Sequence, residues 1–224
     1  MTLAPKFSTG HTITPQACSA RPVTCDSSRY WSTQRHLRQY NQPMKFDPSA
    51  YGRSVAAILA LDANGERLMP LASGRCSSPD ALAKLQASAP PTLFPSSRAP
   101  EAALAGLYLY FSCLDQSHEV SQSIHSPDGA YWHGVMHRQE PDPGNAGYWF
   151  RQVGAHPIFP KLSQAAQHIG LPDNAPWDPI RFVEICERAR RQPGSPLERM
   201  ALETQRAEWQ LLFDYCASQG SASL

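Results

Sequence analysis

DGAYWHGVMHRQEPDPGNAGYWFRQVGAHPIFP, residues 128–160, is the stretch whose reading decides the fold. Ser126-Pro127-Asp128-Gly129 is a turn signal, and an apolar-periodic segment follows it at once. Trp132, Val135 and Met136 recur at i, i+3 and i+4, which predicts a helix over 129–140. Pro141 stops that helix, because proline biases the residue before it away from the helical region. Asp142-Pro143 restarts the chain as an N-cap followed by proline at the first helical position. The second helix runs to about Val153, and Gly154 stands where a C-terminal glycine belongs. Two antiparallel helices joined by a tight turn are predicted.

Working outward, the same punctuation recurs. Asp47-Pro48 opens a helix over SAYGRSVAAILALD, with Val55, Ile58 and Leu59 in period and Asp62 closing it. Ser78-Pro79-Asp80 opens another at about 79–87, and 88–100 reads as a proline-rich connection anchored by Leu93 and Phe94. From Pro100, Leu104, Leu107, Tyr108 and Phe111 share a face, while Leu109, Tyr110 and Cys113 make the helix apolar nearly all round. It is the expected centre of the core. Asp115 is the expected cap of a short continuation, QSHEVSQSI. Further helices are predicted at Leu162 to Ile169, from Asp178-Pro179, and over about 196–217, the last with Leu197, Met200, Thr204, Ala207 and Leu211 in period. The fold class is mainly α, an irregular bundle of about seven or eight helices. Residues 46–218 form the expected single helical domain, with 219–224 a flexible end. Residues 1–45 lack a periodic apolar face and read as a disordered tail, Tyr30 and Trp31 excepted.

Charge and cysteine use exclude several classes. Lys+Arg 20 against Asp+Glu 19 leaves a net charge of +1, with no electrostatic footprint for nucleic acid or an acidic membrane surface. No apolar run approaches a bilayer span, and MTLAPKFSTG lacks the apolar core of a secretory signal. None of the six cysteines lies in a CxxC pair, and Cys113, Cys186 and Cys216 read as small buried hydrophobes in helices. A soluble, cytoplasmic protein is expected. No GxSxG elbow, phosphate loop or dinucleotide fingerprint occurs.

Within the hairpin, Gly134, Ala146 twelve positions on and Phe150 four further have the spacing of a tetratricopeptide or Sel-type repeat, which residues 129–157 resemble. Val153 stands where that family usually has alanine, Pro157 comes one residue early, and Gly106 lies only twenty-eight residues before Gly134. The resemblance implies a tetratricopeptide-like helical hairpin and, more weakly, partner binding. The wider chain, from FDPSAYGRSVAAILALD to EWQLLFDYC, resembles a group of uncharacterised bacterial proteins, which implies no activity.

Two sets of residues are candidates for a site. His133, His137 and Glu140 fall at i, i+4 and i+7 on one helix face, an HxxxH pair is a workable chelate, and His118 is a candidate third nitrogen. Three bundle histidines resemble the metal site of DinB-like proteins; zinc, iron or manganese would be the ion, and a small hydrolase-like, metal-dependent enzyme the implied function. The alternative for these residues is a hydrogen-bonded network at a helix contact. It is the reading preferred for His137, because Arg138 sets a positive charge beside any cation and Glu140 and Asp142 offer acceptors. The second set is Arg138, Asn145, Tyr148, Trp149, Arg151 and His156, a polar and aromatic surface over 131–156. Its arginines would clamp a small anionic ligand and Trp149 would offer a stacking face, or the surface would dock a protein. A repeat-like helical protein with such a recognition pocket, needing no cofactor, is the leading expectation.

Overall fold

The structure, a computed structural model, describes residues 46–172 and 175–220. The expectations for Tyr30 and Trp31, and for the tail as a whole, lie outside the described residues. Ten α-helices are present among those described: α1 Arg53–Leu59, α2 Pro79–Gln86, α3 Pro90–Leu93, α4 Pro100–Tyr110, α5 Leu114–Gln122, α6 Pro127–Gln139, α7 Pro143–Val153, α8 Phe159–Ile169, α9 Pro179–Arg190 and α10 Pro196–Ala217. Short 3₁₀ turns occupy Pro48–Tyr51 and Ala63–Gly65. The described residues contain no β-strand, only an isolated bridge between Ser97 and Gln219. None of their helices is long and apolar enough to cross a membrane.

The cap-and-proline pairs explain where the helices start. Ser78, Ser126, Asp142, Asp178 and Ser195 each accept a hydrogen bond from a first-turn amide, with proline just inside the helix. Proline has no amide to leave unpaired there, and each cap is worth about 1 kcal/mol. The helix count exceeds the expectation for two local reasons. The proline-rich connection winds into one turn, α3, because its prolines lie where a missing amide costs nothing. The chain also breaks at Ser112, whose φ is 58°, so α5 is a separate helix.

Several boundaries differ from expectation. α6 starts at Pro127 rather than 129, because Ser126 caps it. The first helix is interrupted at Gly52, whose φ is 91°, and ends at Leu59 rather than Asp62. Asp115 does not cap α5; Cys113 holds the N-cap position, and Asp115 lies in the first turn, where its charge suits the helix dipole. α8 begins three residues early, with Pro160 in its first turn.

At the centre is α4, buried from Ala102 to Tyr110. Trp209 of α10 donates its indole hydrogen to the Gly106 carbonyl at 2.7 Å and stacks on Phe213, ring centroids 4.9 Å apart. α6 and α7 form the predicted hairpin. A β-carbon added to Gly134 would lie 2.8 Å from the Phe150 ring, so the close helix contact requires glycine there. Of the expected face of α10, Thr204 and Leu211 are buried, while Leu197, Met200 and Ala207 are only partly so. The buried side is broader and carries three long polar residues, Gln205, Glu208 and Gln210, beside Trp209, Leu212 and Phe213.

Those polar residues anchor a network inside the bundle. Glu208 forms an ion pair with Arg138 of α6, both side chains 1% exposed, and accepts the Tyr131 hydroxyl at 3.1 Å. Burial first, and then the Glu208 charge, push the Tyr131 phenol well above its ordinary value, so it stays protonated and donates. Gln205 accepts from Arg138 and donates to the Met69 carbonyl at 2.9 Å, tying down the extended segment that follows the Ala63–Gly65 turn. Farther along that segment, Cys76 and Cys113 form a disulfide. Cys113 is therefore neither free nor inside a helix, which corrects the sequence reading; Cys186 and Cys216 are buried thiols. Disulfides belong mostly to oxidising compartments, so cysteine use gives no support to a cytoplasmic location.

Candidate metal centre

Two helices and the turn between α4 and α5 assemble the histidine cluster. His133 and His137 lie one turn apart on α6. His118 comes from α5, whose position is set by the backbone bond from Cys113 to the Tyr108 carbonyl (2.9 Å) and by Ser117, whose hydroxyl donates to the Ala105 carbonyl of α4 (3.0 Å). Because Ser117 is fixed, its neighbour His118 is carried toward α6. One nitrogen from each of the three imidazoles lies within 4.8 Å of the other two. The rings of His118 and His133 have centroids 4.8 Å apart, as do those of His133 and His137.

The three differ in surroundings. His137 is buried and its Nδ1 is 3.0 Å from Oε2 of Glu140. The carboxylate accepts a hydrogen there, so Nδ1 is the donor and Nε2 is the nitrogen left for a ligand. An imidazole oriented by a carboxylate on its far nitrogen is the usual arrangement of a metal-bound histidine. His118 is half-buried and forms the solvent side of the cluster. His133 is 2% exposed, and neither of its ring nitrogens has a hydrogen-bond partner. Leaving one buried polar atom unsatisfied costs about 1–3 kcal/mol. Burial, with His137 and His118 beside it, lowers the His133 pKa to about 4, so the ring is neutral at pH 7 and offers a lone pair.

The set His118, His133, His137 and Glu140 is thus brought together. The other set disperses. Arg138 points to the opposite side of α6 into the ion pair with Glu208, its guanidinium 4.6 Å from the Phe182 ring centroid. Arg151 is exposed on α7. The expected Arg138–Arg151 clamp does not form, because a buried arginine needs its counter-charge close by and Glu208 supplies it. Of the two acceptors expected for the imidazoles, Glu140 serves His137 and Asp142 instead caps α7. Asn145 donates to Asp142 at 2.7 Å. His156 is buried, its Nε2 2.9 Å from Asp128 and its Nδ1 accepting from the Ile158 amide, so it ties the α7–α8 loop to the start of α6. Tyr148 is half exposed. Trp149 lies flat on His133 and belongs to the histidine cluster instead.

Sequence reasoning missed Gln205 and Glu208. Gln205, Glu208, Trp209 and Leu212, at i, i+3, i+4 and i+7 of the predicted helix, were the available signal, on a face other than the one predicted. No family model matches the chain, and no curated protein and no solved structure is significantly similar to it.

Proposed function

We propose that this protein binds a divalent transition metal through His118, His133 and His137, with Glu140 orienting His137. The observation that carries the reading is His133: a buried imidazole with two unpartnered nitrogens, placed where two other imidazoles converge. A network of satisfied histidines would give each ring nitrogen an acceptor or donor, and His133 has none. Three imidazoles suit zinc or iron(II) better than manganese, which prefers oxygen donors. Metal bonds of about 2.0–2.1 Å in a tetrahedral site put ligand nitrogens roughly 3.3 Å apart, so binding draws the rings together by side-chain rotation. Half-exposed His118 has the freedom to make that movement. A small metal-dependent enzyme, hydrolytic in class, is the activity consistent with such a donor set.

Elemental analysis of the purified chain tests the proposal. About one equivalent of zinc or iron is expected, lost in His133→Ala; a metal-free parent that takes up none of these ions on titration overturns it. The tetratricopeptide-like register of 129–157 is a separate proposal, supported by the contact of Gly134 with Phe150 that the family spacing calls for.

A further inference from the structure

The histidine cluster supplies three ligands, and its surroundings say what the fourth would be. Among the described residues no further histidine, cysteine, aspartate or glutamate joins the group. Glu140, the C-cap residue of α6, is the acid that touches the cluster, yet its Oε2 is held by His137 Nδ1. The two nitrogens of an imidazole point to opposite sides of the ring, so a carboxylate on Nδ1 is directed away from an ion on Nε2. Asp142 is turned to the start of α7, accepting from the Asn145 amide at 3.0 Å and from its side chain at 2.7 Å.

Access is one-sided. Trp149 lies against a face of the His133 ring, centroids 3.9 Å apart, and shields that flank. His133 and His137 are both buried, and His118 alone is half exposed. The approach from solvent therefore runs past His118. Stacking covers the face of His133 and leaves its lone pair, which lies in the ring plane, clear.

Charge then selects the occupant. Three imidazoles coordinate as neutral donors, so the ion keeps its full double positive charge, with one carboxylate a ring's width away. Sites of three protein ligands keep a position for water or substrate, whereas structural sites close with a fourth protein ligand. Resting on the metal reading above, we propose that the bound ion keeps an open coordination position on the His118 side and takes small monodentate anions there. The site is thereby one for reaction or ligand capture, and its substrates carry an anionic or strongly polarised donor atom.

The experiment uses the metal-free full chain, cobalt(II) as the ion and azide as the anion, read by visible absorption. Cobalt is expected to bind at one equivalent and give ligand-field bands, and azide to shift them in a saturable one-to-one titration with a new charge-transfer band. His118→Ala is expected to keep the parent's helicity and to bind cobalt about tenfold or more weakly. Cobalt bands that azide leaves unchanged up to its solubility would overturn the open position while leaving the metal reading standing. Failure of the folded parent to bind cobalt would overturn both.

Discussion

Trp149 and His133 are stacked, their ring centroids 3.9 Å apart and their planes 14° from parallel. The contact joins α7 to α6 at the histidine cluster and excludes water from one face of the imidazole. Burial, with His137 and His118 beside it, also makes His133 a base that does not titrate in the ordinary range, with a direct consequence for stability. In the unfolded chain a histidine takes its proton near pH 6.5, whereas folded His133 takes it only near pH 4. Between those values the unfolded state binds the extra proton, so the metal-free protein loses stability as pH falls from 6.5 toward 4 and has this contribution in full above 6.5. His133→Phe keeps a ring on Trp149 and removes the titration. Its stability, followed by urea unfolding from pH 4 to 7, is expected to depend less on pH than the parent's; equal slopes would show that His133 is not held neutral.

In the proposed metal site Glu140 would act through His137 and not on the ion itself. Glu140→Gln is expected to weaken zinc binding by about 10–100-fold, the usual effect of removing an orienting partner. Thermal stability without metal is expected to change little, since Glu140 is exposed. Competition titration against a chromophoric chelator measures the first effect, and unchanged affinity would remove Glu140 from the site.

The Arg138–Glu208 pair makes a different demand. Glu208→Ala leaves a guanidinium buried without its counter-charge and the Tyr131 hydroxyl without an acceptor. A loss of about 3–5 kcal/mol is expected by denaturant unfolding. A loss under 1 kcal/mol would mean that Arg138 reaches solvent.

Close approach at Gly134 sets two effects of known size against each other. Gly134→Ala gains about 1 kcal/mol of helix propensity. Its methyl would meet the buried Phe150 ring at 2.8 Å, and overpacking of that kind costs about 1–3 kcal/mol. Net destabilisation is expected. A stabilised variant would show that Phe150 has room to move.

The Cys76–Cys113 disulfide spans 37 residues. Closing a loop of that length stabilises by roughly 4 kcal/mol in the chain-entropy model, so dithiothreitol should lower the urea midpoint markedly. Cys76→Ser should match the reduced parent and be insensitive to the reductant. A parent whose midpoint is unmoved by full reduction would contradict this.

Legibility followed range. The cap-and-proline pairs are written within four residues, so the helix starts at Pro79, Pro143, Pro179 and Pro196 could be read directly, whereas Ser126-Pro127 passed as a turn and α6 starts two residues before the expected 129. His133 and His137 share a face by spacing alone. His118 was a candidate by type only, because its approach depends on the backbone break at Ser112 and on the bond from Ser117 to Ala105. Glu208 is seventy residues from Arg138, and no local pattern announces that pairing. For the same reason the disulfide escaped notice: its two cysteines belong to segments that only the tertiary fold brings together.

One consequence concerns the cation that sits next to His137 in the chain. A lone arginine about 6 Å from a dication would repel it by several kcal/mol at an effective dielectric of about 20. Arg138 turns away and meets an opposite charge on α10, so the pair presents to the histidine side a dipole in place of a monopole. Glu208, remote in sequence, would thereby spare the proposed metal site the repulsion of an unpaired guanidinium. A lineage that discarded it would have to discard Arg138 as well, or forgo a cation on the other face of the helix.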